Sequence, residues 1–181
     1  MDHVLDAVVR FLHILAGIVW IGHLYFFNLT NLPVFNFNIS NGDPAQKAGP
    51  NLMHRALFWF RWGAMATLVF GLWLYMIRAD AYGSHADYFA DPAGRTIALG
   101  MLLGIIMWFN VWFIIWPNQK VVLGNNIRIA KGLADEEKKK LEAENAPRVS
   151  RAKLASRINF WLSIPMLLFM VFAAHAPDIF G

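Results

Sequence analysis

Apolar residues run almost unbroken through four stretches of the chain, and polar residues collect between them. The stretches cover roughly Val4–Phe27, Ala56–Ile77, Thr96–Trp116 and Ile158–Ala174. Each approaches the ~20 mostly apolar residues that a helix needs to cross hydrocarbon. In lipid the backbone must satisfy its own N–H and C=O groups, so runs of this length read as helices. The pattern predicts an all-α integral membrane four-helix bundle, a single membrane domain over residues 1–181. A cytoplasmic helical loop, residues 117–157, is expected between spans three and four.

The intervals carry their own signals. ISNGDPAQKAGPN is rich in turn formers and reads as a loop, with Pro33 ending the extension of span one. RADAYGSHADYFADPAGR is short, polar and aromatic, and its His85 reads as a solvated loop residue. In the long interval, ADEEKKKLEAENAPR changes from acidic to basic, as in a solvated helix. Asp135 would lie near its start, with i,i+4 pairs such as Glu136–Lys140. The same charges also suit docking to anionic lipid. Pro165 removes a backbone donor from span four and predicts a kink. Gly100 and Gly104 form a G-x-x-x-G spacing that permits close helix approach. Trp108, Trp112 and Trp116 recur every four residues, a stripe that suits core packing, an interfacial belt or a cofactor wall.

Composition narrows the chemistry. The chain has no cysteine. Disulfides, iron–sulfur clusters, thiolate metal sites and covalently attached c-type haem are thereby excluded. The net charge of +4 does not point to nucleic acid, because ten of the sixteen Lys and Arg lie between Lys120 and Arg157. Loops rich in Lys and Arg stay on the cytoplasmic side. That rule puts the long interval and the Asn28–Arg55 loop inside, and both termini on the outer, periplasmic side. The first span begins Met-Asp-His and lacks a small-residue cleavage site, so it is expected to stay as a span. Neither H-E-x-x-H, a carboxylate cluster, G-x-S-x-G nor a phosphate loop is present.

Polar side chains within apolar helices are the candidates for function, because burying an unpaired polar group is costly. His13 shares a helical face with Ala16, Gly17, Trp20 and Leu24, where two small residues leave room for a flat group. His175 shares one with Arg157, Trp161, Ile164 and Leu168. At ~1.5 Å per residue, His13 stands about 21 Å from Phe27 and His175 about 27 Å from Arg157. Because the two spans run in opposite directions, both imidazoles fall in the outer half of the bilayer. A haem b between His13 and His175 fits two helix-borne imidazoles in a chain without cysteine. Arg10, Arg78 or Arg95 would pair with its propionates. Hydrogen-bonded packing residues are the plainer reading of both histidines. His23 and His54 form a further pair near the cytoplasmic side, suited to a second haem or another metal. For His54 a headgroup contact is the simpler reading. Arg61, two turns into span two, either snorkels to the interface or meets an anionic group.

HILAGIVWIGHLYFFN, RALFWFRWGAMATLVFGL and SRINFWLSIPMLLFMVFAAHAP resemble the membrane domain of the bacterial urate oxidase N-terminal (urate hydroxylase) family. The resemblance covers all four spans. It implies a bacterial inner-membrane protein of a redox-linked family, with histidine at the positions of His13 and His175. His23 matches short stand-alone members, whereas the position of His54 is frequently proline in the family. Larger members carry a fused cytochrome c domain. This sequence has no C-x-x-C-H, so it resembles a short stand-alone member. The expected function is a b-type haem redox protein, an oxidoreductase or electron-transfer subunit. Its candidate cofactor-binding residues are His13, His175, His23, Trp20, Gly17 and Arg61, with His13 and His175 on the iron. The expected partners are membrane lipid, a cytochrome c or other redox protein, and further copies or a larger complex. The competing expectation is a non-catalytic structural or assembly subunit.

Overall fold

In a computed structural model, which describes residues 3–31 and 49–175, the chain is all-α, with no strand among those residues. Helix α1 (His3–Tyr25) passes into a π-helical stretch, Phe26–Asn31. Helix α2 covers Gly49–Ala81, the short α3 His85–Ala90 and α4 Pro92–Phe109. A second π-helical stretch, Asn110–Ile115, joins α4 to α5 (Trp116–Ala130), and α6 covers Asp135–Ala174. Among the described residues, four helices are long and apolar enough to cross a membrane: His3–Thr30, Met53–Ala81, Pro92–Ala130 and Asp135–Ala174. They contain the four predicted spans; the first two exceed them by a few residues, the third continues to Ala130 and the fourth begins at Asp135.

The interval 117–157 is helical, as expected, and takes the form of a hairpin of two helices broken only at residues 131–134. There Gly132 takes φ +88°, a left-handed conformation that glycine adopts without a Cβ clash. Asn125 donates to Asn145 (2.9 Å) and Asn145 donates to Asn126 (3.1 Å), clamping α5 to α6. Val122, Leu123 and Leu141 are buried in the hairpin. Its ion pairs are Arg128–Glu137, Lys138–Glu142 and Arg148–Glu144, not the expected Glu136–Lys140. Helix α6 runs through Pro147 and Pro165 without interruption. The expected end at Pro33 lies outside the described residues, as does the turn-rich stretch through residue 48. From Gly49 that stretch is already helix.

The π-helical stretch Asn110–Ile115 has a local cause. Pro117 has no N–H for the Phe113 carbonyl, and its ring crowds that carbonyl; a wider turn before the proline relieves the clash. At the far end from the hairpin, Ser84 caps α3 by accepting from the Asp87 N–H, and Asp91 caps α4 by accepting from the Ala93 N–H. Gly94 lies so close to the Tyr88 carbonyl oxygen that a Cβ there would overlap it.

Helix α1 packs chiefly on α2, and α4 chiefly on α6. In the first seam, Gly63 lies against the Trp20 backbone and Gly71 against the His13 ring. In the second, Gly100 rests on Met166, Phe169 and Met170, so the G-x-x-x-G glycine serves a contact within the chain. The two pairs share a core of Trp20, Leu24, Phe27, Leu57, Phe60, Met107, Val111, Ile115 and Met166. Phe60 and Phe27 meet edge to face at 5.4 Å. This core occupies the half of the bundle nearer the hairpin. Large apolar side chains such as Ile18, Trp161 and Leu102 stand exposed on the outer faces, as lipid contact requires.

Candidate functional site

His13 is half-buried in the seam between α1 and α2. Its Nδ1 is 2.9 Å from the Thr67 carbonyl oxygen. A carbonyl only accepts, so Nδ1 carries a proton and donates it, and in the neutral ring Nε2 is the nitrogen with the free lone pair. The space for the ring comes from Gly71, where a Cβ would stand 2.8 Å from Cε1. Thr67 itself faces Gly17, which would meet the Thr67 methyl at 4.0 Å, and its hydroxyl donates to the Gly63 carbonyl. Gly63, Thr67 and Gly71 therefore line one face of α2 at four-residue spacing, a groove of small residues that receives α1. Only the α1 half of this arrangement, His13 with Gly17, is among the sequence candidates. The matching signal in α2 is G-x-x-x-T-x-x-x-G within RWGAMATLVFGL.

His23 and His175 also donate from Nδ1 to a backbone carbonyl. His23 Nδ1 bonds the Val19 carbonyl (2.7 Å), and its ring tilts against Phe27. His175 Nδ1 bonds the Val171 carbonyl (3.0 Å). Among the described residues, none of the three Nε2 atoms has a hydrogen-bond partner.

The contacts between α1 and α6 set relative depth. Asn28 donates to Ser156 (2.9 Å), and Tyr25 packs on Phe160 with ring centres 5.0 Å apart. Continuing this antiparallel register puts His13 level with Val171 or Phe172, about one helical turn short of His175. The expected similarity of depth therefore holds to within a turn. The faces do not match. Ala152, Ala155, Asn159, Ser163 and Met166 form the buried face of α6, whereas Arg157, Trp161, Ile164, Leu168 and His175 are exposed. His175 is the C-cap, at φ −115° and ψ 15°, and points with the outward set rather than into the seam that holds His13.

The expected propionate partners are engaged elsewhere. Asp6 accepts from Arg78 (2.8 and 3.1 Å) and from Arg10 (3.0 Å), joining α1 to α2 at the far end. One carboxylate facing two guanidiniums leaves an excess positive charge there. Arg95 donates to the Ala90 carbonyl. Trp20 is a core residue, 2% exposed, with its indole N–H unpartnered. His54 is exposed at the hairpin side, and His85 stacks on Tyr75 at 5.6 Å.

Arg61 lies between α2 and the second half of the third span. Its guanidinium carbon is 3.8 Å from the ring centre of Trp116, 5.2 Å from Trp112 and 5.7 Å from Trp62. The tryptophan stripe thus forms one wall of a cationic cage. Groups of three or more His, Cys, Asp or Glu able to hold a metal ion are absent among the described residues. No family model, curated protein or solved structure matches the chain.

Proposed function

We propose that the protein is a b-type haem redox protein of the membrane, carrying electrons between a membrane or substrate donor and an external acceptor. The observation that carries this reading is the His13–Thr67 bond between helices. An imidazole that ligates iron usually donates its other N–H to a carbonyl or carboxylate, which fixes ring orientation and raises basicity. His13 has that partner, and a glycine opposite makes room for its ring. Haem, when bound, supplies a one-electron couple whose potential depends on axial ligands and burial.

His175 offers a second Nε2 at nearly the same depth. His13 and His175 would be the residues to hold haem, His13 from the α1–α2 seam and His175 from the exposed end of α6. The excess charge of Arg10 and Arg78 over Asp6 suits a propionate at the far end. The concentration of Lys and Arg in the hairpin supports a bacterial inner-membrane orientation with the hairpin in the cytoplasm. Membership of the urate hydroxylase family, and urate as electron donor, belong to the same proposal.

Absorption spectra of protein purified from haem-replete cells test it. The expected result is a Soret band that is lost in His13→Ala and changes its spin-state signature in His175→Ala. Anaerobic urate should reduce the haem if urate is the donor. A colourless, correctly folded preparation would sink the redox reading and favour a non-catalytic subunit of a larger complex.

A further inference from the structure

The cage around Arg61 has a feature that cation–π contact does not explain. The Arg61 Nε–H is buried with no hydrogen-bond partner, and so are the indole N–H groups of Trp112 and Trp108 on the facing helix. All three are donors. No carboxylate pairs with Arg61 among the described residues. Unsatisfied buried donors are costly, and the group that relieves them must be an acceptor; beside the Arg61 charge an anionic oxygen makes the strongest bond.

Position identifies the source of that acceptor. Arg61 lies six residues beyond Arg55 on α2, about 9 Å deeper along the helix, within reach of a phospholipid phosphate for a snorkelling arginine. Trp59, Trp62 and Phe58 around it are exposed, in the manner of the aromatic belts that mark a membrane interface. Arg61 is closest to Trp116, the tryptophan of the stripe nearest the hairpin, so its charge is drawn toward that interface. Lys120 stands exposed one turn beyond Trp116 and adds a second positive charge.

We propose that Arg61, with the Trp112 and Trp116 wall, holds the phosphate of an anionic phospholipid in the leaflet on the hairpin side. The guanidinium donates to the phosphate oxygens, and the tryptophan faces flank it and the first acyl carbons. The site is separate from the His13 seam and does not depend on haem.

The experiment measures lipid retained by the full-length protein after detergent extraction, by mass spectrometry, with phosphatidylglycerol and phosphatidylcholine supplied equally. Wild type should retain phosphatidylglycerol preferentially, and Arg61→Gln should lose that preference by about tenfold, the scale of one charge-assisted hydrogen bond. Arg61→Lys, which keeps the charge without the planar donor edge, should keep part of it. Thermal unfolding of the unmodified protein gives a reading that needs no variant: phosphatidylglycerol should raise the midpoint more than phosphatidylcholine. Equal retention of the two lipids by wild type, or an unchanged preference in Arg61→Gln, would overturn the proposal. So would stabilisation by inorganic phosphate matching that by phosphatidylglycerol, because the site would then take a soluble anion.

Discussion

At the scale of single residues, His13 illustrates how a polar ring is kept inside a membrane helix. Its proton is committed to the Thr67 carbonyl, and its bulk occupies the space that Gly71 leaves. Gly71→Ala would bring a Cβ to 2.8 Å from Cε1 and 3.0 Å from Nδ1. The ring is the end of a movable side chain, so it gives way first, and the Thr67 bond breaks. The expected cost is about 1–3 kcal/mol in thermal unfolding, the usual range for overpacking. Nitrogen-15 shifts of His13 should move from the Nδ1–H tautomer toward a mixture. Unchanged shifts in the variant would show that Gly71 does not hold the tautomer. The imidazole was conspicuous in the sequence because of its cost in an apolar run. Its partner was not, since a threonine's backbone carbonyl leaves no mark in composition or periodicity.

At the scale of elements, the bundle is joined by a few polar contacts between long apolar helices. Asn159 on α6 is fully buried, donates to the Met107 carbonyl (2.9 Å) and accepts from Asn110 (2.8 Å). Asn110 opens the π-helical stretch of the third span, where the wider turn alters which way its amide points. Asn159→Ala should lower stability in detergent by about 1 kcal/mol, the scale of interhelical hydrogen bonds in membranes. Adding Asn110→Ala to that variant should cost little more, because both substitutions remove one network. Full additivity in a double-mutant cycle would disprove the coupling. Apolar runs mark these elements well, but not how far the helices of spans three and four continue past the apolar stretch. Hydropathy reports where lipid begins and ends, while a helix continues as long as its backbone bonds and side contacts allow. The asparagine clamp of the hairpin is one such contact, and its residues read as ordinary polar surface.

At the scale of the whole molecule, helices α5 and α6 extend past the apolar core as a hairpin with most of the chain's positive charge. Its only non-helical break, at residues 131–134, is where a protease finds backbone to bind. Trypsin should therefore cut near Arg128 or Lys131 when applied to inside-out vesicles, and leave this turn intact in right-side-out ones. Cleavage from the outside would reverse the orientation inferred from charge. What the sequence determined unaided was the all-α membrane architecture, the number of long spans and the chemical character of the candidates. These follow from the local demand that a backbone in lipid bond to itself and from the cost of polar groups there. The tertiary structure decided which faces meet. It seated His13 on α2, turned His175 outward and closed three tryptophans around Arg61. Helix rotation and pairing depend on small residues packing across a seam, here Gly63, Thr67 and Gly71, and such packing is a property of two helices together rather than of either sequence alone.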